Sequence, residues 1–278
     1  MNHQKKLSLS YHPEHTKKGN LVCVGHAQLM PALEQIFKKP STFSGEDTVV
    51  YKERPNLIVE TKLLSDQGFP WPSQVVKVFR WRGLQRLFSP FKQSKAMKSY
   101  RAARHLLEHD LLTPLPLGAV EYRKFGLVIQ NAYITEVISG RMDLKKYRTS
   151  LPQGPQAMEE ILKDLAAYIG KMHDCGLWHR DLNLSNFLLA GHGPERRIYL
   201  IDLNRSRIKS RLSFNQRAMD LARLDLGQWQ ELFFRFYCAD RFNQKKMLKI
   251  TNLVRARRRL WRKMIVWTNP LRRKLGLK

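Results

Sequence analysis

Cysteine is scarce in this chain. Cys23, Cys175 and Cys238 are the three among 278 residues, and none has paired or metal-ligand spacing. That argues against a disulfide framework; each thiol is expected to be a small buried hydrophobe in a reducing compartment. Long apolar runs are missing too. No stretch of about 18 uncharged apolar residues exists, so nothing is expected to span a membrane. Met1 to Lys6 lead into no long apolar run, so no secretory signal is expected. Acidic residues are few, 23 against 50 Lys and Arg, for a formal charge of +27. Such an excess calls for a polyanionic partner: nucleic acid, an anionic bilayer or a phosphorylated glycolipid. Charge alone does not choose among them. Apolar content is ordinary, and the length suits one large or two small lobes.

What is present centres on His179-Arg180-Asp181-Leu182-Asn183-Leu184-Ser185-Asn186, followed by Ile201-Asp202-Leu203. The first stretch fits H-R-D-L-x-x-x-N at every fixed position, the catalytic-loop signature of the protein-kinase fold. There the Asp takes the proton of an attacking hydroxyl and the Asn holds a metal ion. Asp202 ends an apolar run at the place of the second metal-binding carboxylate. Phe187–Leu189, a turn with Gly191 and Gly193, and the run from Ile198 predict a hairpin between them.

Upstream, Thr48–Lys52 and Leu57–Leu63 read as two short strands where a nucleotide-covering hairpin would fall, yet no G-x-G-x-x-G is present. Either the cover differs or nucleotide binding is weak. Ser73–Phe79 is the clearest strand, with Lys77 placed like the lysine of V-A-I-K, which reaches the α- and β-phosphates; an edge-strand lysine facing water is the plain alternative. Ser94–His109 reads as a helix without an acidic residue before Glu108, so no helical Glu is offered to Lys77. Glu60 could serve, or Lys77 waits unpaired for nucleotide. Two strands follow, Gly118–Tyr122 and Gly126–Val137, then a hinge at Glu136–Gly140. Met158–Met172 form one helical face. Asp220 either ties down the catalytic-loop backbone or caps a helix. Pro31–Phe37 suggests a short helix in an otherwise uninformative beginning. The expected organisation is an N-terminal extension over 1–40, a nucleotide-binding N-lobe over 41–138 and a C-lobe over 139–240. A basic amphipathic segment over 241–278 completes it. The fold class is α+β: bilobal and protein-kinase-like, with a small, mainly antiparallel β N-lobe and a mainly helical C-lobe.

With these pieces placed, the chain resembles the lipopolysaccharide kinase family, which phosphorylates Kdo or heptose in the inner core. The resemblance spans about residues 45–240. It rests on Val76–Phe79, Ser94-Lys95-Ala96, Tyr100–Ala103, Thr113-Pro114, His179–Asn183, Asn186–Leu189 and Ile201–Arg207. The last is the most specific, with D-x-x-R where protein kinases have D-F-G; no A-P-E follows, which counts against a peptide substrate. The resemblance implies Asp181 as the base, Asn186 and Asp202 as Mg²⁺ ligands, and Lys77 as the contact to the phosphates of ATP. It makes His179 structural and puts Arg180 near the acceptor.

Arg205, Arg207, Lys209 and Arg211 alternate after Asp202. In an extended segment they would point one way, toward an anionic lipopolysaccharide core acceptor, or stand as a solvated loop. From Arg241 onward there are fourteen Lys or Arg and no acid. Ile250, Leu253, Val254, Leu260, Trp261, Met264 and Ile265 share a helical face that Arg257 interrupts, and Pro270 should stop the helix. This reads as a peripheral element on the anionic cytoplasmic face of the inner membrane, or as a helix packed on the lower lobe. The leading expectation is therefore an ATP-dependent sugar kinase of the lipopolysaccharide core, cytoplasmic and peripheral. The alternatives are a kinase of another acceptor, or a pseudokinase acting as a regulatory or binding module at the membrane surface. A nucleic-acid partner is not expected, because charge alone supports it and no base-reading motif accompanies it.

Overall fold

The structure is a computed structural model, and it describes residues 14–25, 48–53, 56–62, 71–80, 92–150 and 154–274. The expected helix at Pro31–Phe37 and the end of the second strand at Leu63 lie outside them. In chain order come β1 (Glu14–Lys18), β2 (Leu21–Gly25), β3 (Thr48–Lys52), β4 (Leu57–Thr61), β5 (Gln74–Arg80) and helix α1 (Lys95–Glu108). Then follow β6 (Pro116–Lys124), β7 (Leu127–Glu136), β8 (Met142–Asp143), α2 (Leu144–Ser150), α3 (Gly154–Asp174) and β9 (Leu177–Trp178). The remainder is β10 (Phe187–Ala190), β11 (Arg197–Leu200), β12 (Arg207–Ile208), α4 (Phe214–Leu221), α5 (Gln230–Cys238) and α6 (Gln244–Lys274). The chain divides into two compact units: Met1–Asp143 with Asn186–Ile208, and Leu144–Ser185 with Lys209–Lys278.

The first unit is built on a seven-stranded sheet of order β1-β2-β6-β7-β5-β4-β3, antiparallel at every pairing. The hairpin β1–β2 was not read from the sequence. Its short strands carry only Leu21, Val22, Cys23 and Val24 as an apolar signal, yet β2 pairs with β6 and buries Leu21 and Cys23. Part of the first forty residues is therefore sheet. Phe125 and Gly126, at φ 51° and 75°, close the β6–β7 hairpin as a two-residue turn. β6 consequently continues through Arg123 and Lys124.

Strand alternation sorts β5. Val76 and Val78 enter the core with Val59, Leu117, Val120, Ala132 and Ile134, while Lys77 faces the other way. Lys77 is opposite Ile58 on β4 and Tyr133 on β7, so β5 is an interior strand and the edge-lysine alternative fails. Helix α1 packs on β6 and β7. Its start is pinned twice: Ser94 Oγ accepts from Met97 N at 3.2 Å, and Asn131 Oδ1 of β7 accepts from Ala96 N at 3.0 Å. That fixes Lys95. The β10–β11 hairpin forms as expected and pairs through β10 with β8. Its end is tied by Thr113 Oγ1, which donates to Leu200 O at 2.7 Å, and by Leu200 N, which donates to Leu112 O at 3.1 Å.

The second unit is helical. Met158, Ile161, Leu162, Leu165, Ile169 and Met172 are fully buried along one face of α3, which packs against α5. Phe233, Phe234 and Tyr237 supply the other side, with Phe233 stacked on Tyr237. Gly176 follows α3 at φ 83°; a Cβ there would lie 1.8 Å from Lys209 O, so only glycine allows this approach. Helix α6 packs on α4 and α5 through Met247 and Thr251. Leu253, Leu260, Trp261 and Met264 stay more than half exposed. The packed and exposed faces coexist on one helix. Pro270 does not stop α6, which runs to Lys274; proline removes one backbone donor, a loss a helix survives when its neighbouring turns hold. Burial pushes the Cys23 thiol up to about 12 and Cys238 to about 11, and both are inert core groups.

Candidate active site

In the first unit the chain brings Lys77, Asp202 and Asn186 together from three positions. Lys77 Nζ lies 2.5 Å from Asp202 Oδ1, with the two side chains 14% and 32% exposed. Ile201 N donates to Asn186 O at 2.9 Å, which sets residue 186 beside the strand end carrying Asp202. Asn204 Nδ2 also donates to Asp202 Oδ1. Asp202 sits at φ 63°, in the left-handed region that non-glycine residues adopt at a cost, a kind of strain that concentrates at functional positions.

Two further cations gather near this pair. The pKa of Lys95 is lowered by burial and by the neighbouring charges of Arg205 and Lys77, against the pull of Asp202. Both lysine ammoniums lie over the Phe79 ring, at 5.4 and 5.9 Å. Lys77 and Lys95 thus share one acid, with Arg205 close to Lys95, an arrangement whose excess positive charge suits a polyphosphate. Glu60 does not serve Lys77. It shares the Lys77 face of the sheet but stands opposite Val75, two residues along β5, where it accepts from Tyr51 Oη and lies 3.5 Å from Arg141 Nη2. The first turn of α1 carries no acid, and Lys95 occupies it instead.

The catalytic-loop stretch belongs to the second unit through Ser185. The buried Asp220, near the end of α4, accepts from His179 N at 2.8 Å and Arg180 N at 2.7 Å. It ties the loop and is not a helix cap, since Ser213 caps α4 with a capping box. Fully buried His179 accepts from Asp181 N through Nδ1 at 3.3 Å. Arg180, at φ 66°, lays its guanidinium on Trp178 at 5.1 Å. Asp181 is a quarter exposed and receives Arg223 Nη1 at 2.6 Å.

Behind the loop, His173 Nδ1 meets Tyr237 Oη at 2.7 Å, and Nε2 lies 3.5 Å from Asp220 Oδ2. Burial lowers the pKa of this imidazole, against the pull of Asp220. Below the ordinary imidazole value of about 6.5 the unfolded chain binds a proton that the native state refuses, so stability falls as pH falls. Denaturation midpoints measured from pH 8 to 5.5 should decline in the wild type and decline less in His173→Gln; equal slopes would refute this.

Of the residues anticipated from sequence, Lys77, Asn186, Asp202, Arg205 and Arg207 lie in the first unit, and Arg180 and Asp181 in the second. The run Arg205 to Arg211 is not one extended segment. Arg205 sits in a 3₁₀ turn, Arg207 in β12, and Lys209 over Trp178 at 5.5 Å, so these side chains do not form one row. Sequence reasoning missed Lys95, Asn204 and Arg223 as site neighbours. Lys95 was legible only as the missing helical acid, and Arg223 had no signal beyond following Asp220 by three residues.

The antiparallel sheet with its interior lysine, the single packed helix and the hairpin ending in Asp202 define a protein-kinase-like α+β fold. The solved structure "WaaP in complex with acyl carrier protein" has this fold, with a TM-score of 0.59 over 91% of this chain and 98% of that one, at 19% identity. The profile of the Lipopolysaccharide kinase (Kdo/WaaP) family matches residues 76–233, more than half of the chain, and the protein belongs to that family. It is similar to the 3-deoxy-D-manno-octulosonic acid kinase of Haemophilus influenzae (strain 86-028NP), 30% identical over 124 residues, 44% of this chain and 50% of the relative. The Photobacterium damsela subsp. piscicida kinase of the same name is 27% identical over 119 residues, 43% and 47% of the two chains. The match spans about half the length of these curated relatives.

Proposed function

We propose that the protein is an ATP-dependent kinase that phosphorylates a sugar hydroxyl of the lipopolysaccharide inner core, on a 3-deoxy-D-manno-octulosonic acid (Kdo) or heptose residue. The observation that carries this reading is the 2.5 Å pair between Lys77 and Asp202, 125 residues apart in sequence. Phosphoryl transfer requires little covalent work from a protein and much positioning of charge. The acceptor hydroxyl oxygen bonds to the γ-phosphorus, the bond to the bridging oxygen breaks, ADP leaves, and the hydroxyl proton passes to Asp181. Lys77, with Lys95 and Arg205 nearby, holds the phosphates. The Asp202 carboxylate and the Asn186 carboxamide offer the oxygen donors a magnesium ion prefers, and the tie of Ile201 to Asn186 keeps them neighbours, so the donor set fits. When bound, magnesium neutralises phosphate charge.

Membrane proximity follows from the acceptor. No helix among the described residues is long and apolar enough to cross a bilayer. On α6, exposed Leu253, Leu260, Trp261 and Met264 stand among exposed Arg257, Arg259, Arg262 and Lys263, a composition suited to peripheral contact with an anionic cytoplasmic leaflet. The test is transfer of labelled γ-phosphate from Mg-ATP to unphosphorylated core lipopolysaccharide, comparing wild type with Asp202→Ala. Label reaches the glycolipid only with the wild type. Absence of both transfer and Mg-ATP binding would sink the kinase reading and leave a binding module.

A further inference from the structure

Beside Asp181, wholly within the second unit, a cavity of about 300 Å³ opens. Lys145, Arg148, Arg223, Asn183, Ser185 and Asp225 line it. The lining therefore carries three cations against the one carboxylate of Asp225. That carboxylate is 88% exposed and lies 3.7 Å from Arg148, so water already screens it. Arg148 is 17% exposed and anchored by donating to Asp225 O. Asn183 binds back to its own loop, donating through Nδ2 to Asp181 O at 3.1 Å and accepting from Ser185 N at 3.1 Å. The mouth is basic. Its volume is at the lower end of ligand pockets, about 300–1,000 Å³, which suits one sugar better than an extended chain.

Arg223 is the distinctive member. Nη1 donates to Asp181 Oδ1 at 2.6 Å, whereas Nε is buried with no hydrogen-bond partner. A buried guanidinium donor left unsatisfied is costly; the Arg223 side chain as a whole is 30% exposed and lines the cavity. Arg255 of α6 fixes the pivot by bracketing it: Nε donates to Ala222 O at 3.3 Å and Nη2 to Leu224 O at 2.6 Å. Arg258 of the same helix senses this cluster, its pKa lowered by burial and by Arg223, with Asp220 and Asp181 opposing. Helix α6 thus supports the segment that carries Arg223 as well as presenting an exposed face.

We propose that this cavity binds the carboxylate of the acceptor sugar, and that Arg223 is shared between that carboxylate and Asp181. The inference rests on the sugar-kinase reading. In the empty site the guanidinium neutralises the base; a bound carboxylate draws charge from Arg223 and leaves Asp181 Oδ1 to take the hydroxyl proton. Lys145 and Arg148 supply affinity, and Arg223 is a positioning residue that couples acceptor binding to the base.

The experiment pairs protein and ligand changes. Acceptor KM is measured for wild type, Lys145→Gln, Arg148→Gln and Arg148→Lys, on native, carboxyl-reduced and dephosphorylated core acceptor. Carboxyl reduction should raise wild-type KM about tenfold or more, the scale of a lost charge-assisted bond. Arg148→Gln should raise it similarly on the native acceptor and show no further rise on the reduced one, with Arg148→Lys partly restored and KM for ATP unchanged. Lys145, exposed and remote from the core, guards against loss of folding as the explanation. Sensitivity that follows dephosphorylation instead would make the bound anion a phosphate and overturn the carboxylate assignment. Unchanged acceptor KM in both Gln variants would overturn the cavity. A catalysis-free arm titrates free Kdo and its methyl ester by NMR. Kdo binding lost in Arg148→Gln and in the ester, without any transfer, would uphold the cavity while the kinase reading fails; neither transfer nor Kdo binding would end both.

Discussion

Asp181→Asn is expected to lower kcat by about 10²–10⁴-fold, the contribution of a positioned general base, equivalent to about 2.7–5.4 kcal/mol of barrier. The substitution keeps the shape of the side chain and removes the proton acceptor. Affinity for ATP should be unaffected, because Lys77, Lys95 and Asp202 belong to other segments of the chain. Steady-state kinetics with parallel nucleotide-binding measurements read both quantities. A kcat loss below about fivefold would remove Asp181 from the role of base. The Arg223 contact makes the variant informative in a second way: the substituted carboxamide still presents an oxygen to the guanidinium, so loss of the ion pair is separated from loss of the loop's position.

Asp220→Ala is expected to destabilise the protein by about 3–5 kcal/mol and to reduce activity with it. Asp220 is 1% exposed and accepts two backbone N–H groups from the loop. Removing it orphans both donors, each at about 1–3 kcal/mol, and leaves His173 facing an empty site. Asp220→Asn retains one acceptor oxygen and should cost about half as much. Chemical denaturation with an unchanged m-value would measure the difference. If both variants unfold like the wild type, the tie between α4 and the loop contributes nothing to stability.

Much of this molecule was legible from local patterns. The alternation of Val76, Lys77 and Val78 named a strand, and the spacing along α3 named its buried face. The hairpin from Phe187 to Leu200 followed from two apolar runs and glycine punctuation. Ser94 marked the start of α1. Each of these signals is carried by residues close in sequence, where backbone geometry alone relates them. The β1–β2 hairpin escaped because its pairing partner, β6, lies almost a hundred residues away and its own strands are short. The continuation of α6 through Pro270 escaped because the intrinsic penalty of proline is only one term in a helix of 31 residues.

The sequence by itself determined the kinase-like signature, the identity of the oxygen and ammonium groups that the proposed phosphoryl transfer would use, and the excess of positive charge. It could not assign partners. That Lys77 pairs with Asp202 and not Glu60, that Lys95 stands where an acid was sought, and that Arg223 rests on Asp181 were decided by the tertiary structure. The physical reason is the range of the interactions. Strand periodicity and capping act over two to four residues, whereas an ion pair depends on which side chains the sheet register and helix packing bring within about 4 Å. Glu60 shares a sheet face with Lys77, yet its place opposite Val75, two residues along the strand, gives it to Tyr51 and Arg141 instead.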